Sequence, residues 1–130
     1  MYFVLMVEKI KTYSFGECLF YDSYAYLKYF SEIDEVKQAY GQEILIDLED
    51  FYGTKKYVFI SERGLSTRLN PEILKSLNLT KMKALAIVSP EGPDRMEELI
   101  KEQEYFKGSF AFFTSFEAAK NWALTFLEED

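Results

Sequence analysis

The chain has 130 residues, a formal net charge of −7, 48% hydrophobic residues, one cysteine and no histidine. That balance excludes the clustered Lys/Arg surface needed to displace counterions from duplex nucleic acid or to dock stably on an anionic membrane. With Cys18 alone and no His, Ser-His-Asp and Cys-His constellations and a disulfide framework are excluded, and a zinc site lacks its usual ligands.

The length suits a single domain over residues 1–130, able to bury about two-thirds of its unfolded surface. A lone cysteine fits a reducing compartment, so a cytoplasmic location is expected. No run approaches ~20 apolar residues, so no membrane-spanning helix is expected. The 12 Phe and 10 Tyr provide ample core material, with many Tyr hydroxyls expected at the core edge.

In chain order, Tyr2 to Ile10 reads as an extra or peripheral N-terminal strand, too short and too weakly flanked for a signal peptide. Tyr13 to Tyr21 reads as a second strand, with a bulge or bend at Gly16, and Tyr24 to Phe30 as a third after an Asp22-Ser23 turn. Together they predict an antiparallel meander. Residues 31–53 carry two patterns. Ile44, Ile46 and Leu48 alternate like a strand, whereas Ile33, Val36, Tyr40, Ile44, Leu48 and Phe51/Tyr52 form a helical stripe. The helix reading is favoured, with Ser31 as cap, Asp34 and Glu35 in the first turn, a bend at Gly41 and a stop at Gly53.

Lys56 to Ser61 then reads as a strand, and Asn70-Pro71 as the start of a short helix ending near Leu77. Met82 to Ser89 is almost unbroken in apolar character, which predicts a strand buried on both faces. A helix from Pro93 to Gly108 carries the stripe Met96, Leu99, Ile100, Gln103 and Phe106. Phe110 to Phe113 is a short strand. Thr114-Ser115-Phe116-Glu117 reads as a capping box for a last helix that turns Ala118/Ala119, Trp122/Ala123 and Phe126/Leu127 inward. This order predicts an α/β fold with a mixed β-sheet, an antiparallel N-terminal meander and about four helices.

Three pieces of the chain carry a resemblance. Phe51-Tyr52-Gly53-Thr54-Lys55-Lys56 leads into a strand ending Ile60-Ser61-Glu62-Arg63, followed by Ser66 and Pro71. Ala84 to Ser89 forms an Ala-Ile-Val strand, and Phe112-Phe113-Thr114 precedes Glu117-Ala118-Ala119 and Trp122. In order and spacing, from about Tyr13 to Trp122, these resemble small bacterial domains of the STAS/SEC14 type, also called SpoIIAA-like. The resemblance implies a STAS-like fold. In the best-known relatives, the anti-sigma-factor antagonists, a Ser in an Asp-Ser-Ser/Thr-Gly-type motif is phosphorylated by a partner kinase. This chain lacks that motif, and Ser61, Ser66 and Thr67 are the counterparts available. The SEC14 half of the label implies a lipid pocket.

The best candidate site is the loop after the Tyr57–Ile60 strand. It holds Ser61, Arg63, Ser66, Thr67, Arg68 and Asn70, and thus two of the three arginines of the chain. Beyond the carboxyl end of a parallel strand, such a group suits an anion, a phosphate or a partner protein. A solvated loop with local turns is the plainer reading of the same residues. Ser89 to Arg95 is expected on the same sheet edge, either sharing that pocket or serving as a stiff connection. Cys18 reads as a buried structural thiol, and Asp47/Glu49/Asp50 and Glu97/Glu98 as charged outer helix faces. Both faces of Tyr24 to Phe30 are largely apolar. One is expected to meet helices, and the other a second subunit, giving a homodimer, or an added layer from residues 1–10.

The function expected first is a non-enzymatic regulatory module that docks a protein partner through Ser61–Asn70 and the adjacent helix. A phosphate on Ser66 or Thr67 would meet Arg63 and Arg68. The second is a small-molecule or lipid-binding domain with an apolar cavity of roughly 300 Å3 or more. No cofactor, metal or catalytic residue is expected.

Overall fold

A computed structural model describes residues 7–64, 67–70, 72–90, 96–106 and 108–128. Three strands open the fold: β1 (Lys9–Thr12), β2 (Gly16–Phe20) and β3 (Tyr24–Tyr29). They pair antiparallel, with Lys9 opposite Phe20 and Gly16 opposite Tyr29, so the expected meander is present. Its first strand lies later than expected, and residues 1–6 fall outside the described residues.

A two-residue strand, β4 (Glu35–Val36), leads into α1 (Gln38–Tyr52). Next come β5 (Tyr57–Glu62), β6 (Arg68–Leu69), α2 (Ile73–Ser76), β7 (Met82–Val88), α3 (Met96–Tyr105), β8 (Ser109–Phe113) and α4 (Phe116–Glu128). The main sheet runs β1-β2-β3-β5-β7-β8, and every pair from β3 onward is parallel.

Sheet order explains where the helices go. The parallel strands are added one after another in a single direction, and right-handed crossovers then place all connecting helices on one face. That face is packed by Ile44, Leu48 and Tyr52 of α1 and Leu99 of α3, over Leu27, Phe59, Leu85 and Ile87. α4 connects no strands and covers the opposite face. Its Ala119 and Ala123, both fully buried, let the helix lie close over Val58, Ile60, Ala84, Ala86 and Val88. β7 is buried on both faces, as its apolar run predicted.

Several local expectations are corrected. The helix does not begin at Ser31, and Asp34 and Glu35 are not in its first turn. The Asp34 carbonyl accepts the Arg68 N–H at 3.0 Å, and Glu35–Val36 pairs parallel with β6, so a tertiary ladder holds these residues extended. Gly41 sits within the first turn of α1 and faces Leu77, where an added Cβ would lie 2.7 Å from Leu77 Cδ1. It makes room for α2 rather than bending the helix. Gly53 ends α1 at φ 60° and donates to the Glu49 carbonyl at 2.8 Å, the stop that the sequence predicted.

At α4, Ser115 rather than Thr114 caps: its Oγ accepts the Ala118 N–H at 3.3 Å, while Glu117 pairs with Lys120 at 2.9 Å instead of reaching back. Trp122 is only half-buried and packs at the flank against Phe113 and Phe126. The start of α3 expected at Pro93 lies outside the described residues.

Both faces of β3 are occupied within the chain. Ala25, Leu27 and Tyr29 join the α1–α3 core, and Tyr24 joins the α4 core. Tyr26 stacks on Phe116 at 4.0 Å and donates to Glu62 at 2.5 Å, so among the described residues both faces of β3 pack within the chain.

Candidate functional site

The parallel strands present their carboxyl ends at one edge of the sheet, and the Ser61–Asn70 segment leaves from the end of β5. Period-two alternation decides where its side chains point. Tyr57 and Phe59 face the α1–α3 core, and Ser61 and Arg63 continue that face inward. Ser61 and Arg63 are 7% and 3% exposed. The Arg63 N–H still donates to the Val88 carbonyl at 3.0 Å, which extends the β5–β7 ladder past the strand end and holds the arginine under α3.

There Arg63 meets Glu102, a residue that the sequence stripe missed. Leu99, Glu102 and Phe106 all face the sheet, and Glu102 is fully buried. An Arg63 terminal nitrogen donates to Glu102 Oε1 at 2.5 Å. The spacing of three and four from Leu99 and Phe106 was the available signal. An acidic residue at that position is buried only when its charge is met, and Arg63 lies 39 residues earlier. Gln103 and Ile100, which the stripe placed inward, are exposed, Ile100 by 49%.

Thr67 is fully buried and donates its hydroxyl to the Ile33 carbonyl at 2.5 Å, while its N–H donates to Gly64 at 3.1 Å. These bonds fasten the segment to the β4–β6 ladder. Arg68 and Asn70 are exposed. The Asn70 side chain accepts the Glu72 N–H at 3.1 Å, a local turn just before α2, whose N-cap position is Glu72 rather than the expected Asn70. Ser66 lies outside the described residues.

The structure therefore brings Ser61 and Arg63 together inside, holds Thr67 in the β4–β6 clip, and leaves Arg68 and Asn70 outside. A phosphate gripped by both arginines does not fit this arrangement, because Arg63 is spent on Glu102 beneath the surface. Ser89 is 1% exposed and its hydroxyl has no hydrogen-bond partner among the described residues. Of the expected connection from Ser89 to Arg95, residues 91–95 lie outside the described residues.

Ser61, Arg63 and Glu102 form the polar end of an otherwise apolar cavity of about 70 Å3. Its outer wall is Leu74, Leu77 and Leu79, on and after α2. The same three leucines line an open surface groove of about 540 Å3 with Lys75, Thr80, Glu104, Tyr105 and Phe106. Lys75 lies over the Tyr105 ring, 4.5 Å from its centroid, and so links α2 to α3 across the groove. α2 itself has no buried residue.

Other titratable groups are structural. Burial pushes the Cys18 thiol up to about 12, which keeps it protonated and inert, as its apolar neighbours suggested. Asp47 was read as part of an outer helix face, and this is corrected: it is 8% exposed and accepts from Tyr13 and from Lys11, the latter at 2.7 Å. Burial raises its carboxyl pKa, but the hydrogen bonds from Lys11 and Tyr13 outweigh that and hold it below the usual range. Glu49, Asp50 and Glu97 are exposed, in keeping with an outer face. Among the described residues, no three His, Cys, Asp or Glu side chains group as metal ligands, and no helix is long and apolar enough to cross a membrane.

No model of a known protein family matches this chain, and no curated protein sequence matches it. Among solved structures, it is similar to the crystal structure of an uncharacterized protein from the DUF3478 family with a SpoIIAA-like fold, from Shewanella loihica PV-4. The TM-score is 0.56 at 15% identity, over 88% of this chain and 90% of that one. The chain has a SpoIIAA-like fold. At that identity the likeness carries the architecture and not a role. Within the SpoIIAA-like fold, the pieces that carried the sequence resemblance fall on the end of α1 with β5, on β7, and on β8 with α4, which include three of the four parallel strands.

Proposed function

We propose that this chain is a non-enzymatic protein-interaction module that docks a partner through the outer side of the Ser61–Asn70 segment and the adjacent α2. One observation supports this reading above the others. The segment is anchored from beneath by Arg63 on Glu102 and by Thr67 on Ile33, yet it presents Arg68 and Asn70 outward and leads into a helix with no buried residue beside an open groove. A fixed base under an exposed, polar-rimmed apolar surface is what a docking site requires.

A second reading, a small-molecule site, is favoured by the apolar cavity ending on Ser61, Arg63 and Glu102. Magnitude supports the first. At about 70 Å3 the cavity falls well below the roughly 300 Å3 of an ordinary ligand site and cannot take a lipid chain without moving α2.

Both readings meet in one experiment. The full chain and its Arg68→Glu variant are purified from the native host after mild cross-linking and analysed by intact-complex mass spectrometry. A protein retained by the wild type and lost with Arg68→Glu is the expected result. A protein retained equally by both would move docking elsewhere, and a small molecule retained without a protein would favour the cavity.

A further inference from the structure

The main sheet ends in two edges that are built differently. At the β1 edge, Lys9 and Lys11 are charged and Lys9 is exposed, the usual defence of an edge strand against pairing with another chain. At the β8 edge, Ser109–Phe113 reads Ser-Phe-Ala-Phe-Phe, without a charge, a proline or a glycine, and four of its five side chains are half-buried.

The backbone of β8 is ready for one particular partner. The Ser89 N–H donates to the Phe113 carbonyl at 2.9 Å, so Phe113 turns its backbone groups toward β7. By alternation Ser109 and Ala111 do the same, and the N–H and C=O of Phe110 and Phe112 point outward. β8 is terminal in the sheet, and no described strand pairs with that side.

We propose that the outer edge of β8 is the interface of a two-fold symmetric homodimer, in which β8 pairs antiparallel with its copy about Ala111. In that register Phe110 of one protomer lies opposite Phe112 of its partner, and the reverse. These are the residues whose backbone groups face outward, so each such pair exchanges two N–H···O bonds and the four groups of each protomer are all satisfied. Ala111 lies opposite Ala111 at the close, non-hydrogen-bonded position, where a small side chain is required. The two Phe–Phe pairs lie on the α1–α3 face, where Phe110 and Phe112 already pack against the core. A closed two-fold requires antiparallel pairing, and no like charges meet across it. The β1 edge could not pair with itself in this way, since its lysines would face one another.

A five-residue strand edge is a small interface, below about 1,200 Å2, so monomer and dimer should exchange with concentration. This inference is independent of the docking surface proposed above.

The test is sedimentation velocity of the full chain from about 1 μM to about 1 mM, beside Ala111→Lys, which sets two ammonium groups face to face on the axis. A concentration-dependent dimer, weakened about tenfold or more by Ala111→Lys, is expected. A wild type that stays monomeric throughout, or a dimer that Ala111→Lys leaves unchanged, overturns the proposal. Should Ala111→Lys lose its cooperative thermal transition, Ala111→Cys decides. The non-hydrogen-bonded pair has a Cα separation of about 4.5 Å, within disulfide range. Oxidation should link the Ala111→Cys protomers but not those of Ile10→Cys on the β1 edge, and buried Cys18 does not interfere. A link at Ile10→Cys, or none at either position, overturns it.

Discussion

Two ion pairs among the described residues tie helices to this sheet, one at its β1 edge and one at the end of the inner strand β5, in opposite surroundings. Arg63–Glu102 joins the end of β5 to α3 with side chains 3% and 0% exposed. Lys11–Asp47 joins β1 to α1 with side chains 41% and 11% exposed. In the first, neither charge has water to fall back on, so each leans on the other far more than an exposed charge would. In the second, the lysine is free to return to solvent, and the carboxylate keeps the Tyr13 hydroxyl as a partner. Burial, more than distance, therefore sets what each pair does for the fold.

The largest effect should come from breaking the buried pair. Glu102→Ala leaves Arg63 charged and sealed under α3, and should cost about 3–5 kcal/mol in urea unfolding. The double change Arg63→Met with Glu102→Leu removes both charges at similar volume and should recover most of that loss. If Glu102→Ala costs no more than a surface substitution, the contrast drawn here collapses.

Asp47→Asn comes next, at about 1–2 kcal/mol at neutral pH, because the Tyr13 hydroxyl keeps an acceptor but loses a charged one. Its pH dependence sharpens the comparison. The folded pKa of Asp47 lies below the unfolded value of about 3.9, so its contribution is present above that value and is lost as pH falls through the folded pKa. The wild type should lose this component of stability on acidification, and Asp47→Asn should lack it. Equal acid profiles would remove Asp47 from the account.

Lys11→Met should have the smallest effect, and one that fades as salt is raised, because an exposed ammonium is screened. A salt-independent loss would mean that the Lys11 ammonium acts through its direct hydrogen bond to the buried Asp47 carboxylate, at 2.7 Å, which salt screens little.

These pairs also show which parts of the site the sequence made readable. The alternation Tyr57, Phe59, Ser61, Arg63 was present in the chain and already pointed Arg63 inward. It was read as a solvent-facing loop residue because an arginine after a strand usually is one. Glu102 had the spacing of a core position, and Asp47 lies three residues after Ile44, on the buried side of α1. In both cases an acidic side chain argued against burial, and the neutralising partner was far away in the chain: 39 residues for Glu102 and 36 for Lys11 with Asp47. Thr67 was expected to offer its hydroxyl to a phosphate or a partner, but that hydroxyl is held by the carbonyl of Ile33, whose position depends on the β4–β6 ladder.

By itself, the sequence determined the order of the main-sheet strands and the helices, the antiparallel meander, the doubly buried β7 and the Gly53 stop. These follow from local patterns: period, turn chemistry and runs of apolar residues, each legible within a dozen positions, whereas the SpoIIAA-like character came from a resemblance in motif order and spacing over Tyr13 to Trp122. Tertiary structure alone decided that residues 35–36 are strand and not helix, that Ser61, Arg63 and Thr67 lie inside while Arg68 and Asn70 face out, and that Glu102 and Asp47 are core charges. The reason is the same for all of them. Whether a polar side chain is buried depends on a partner brought in by folding, and the free energy of that pairing is written in no local window of the chain.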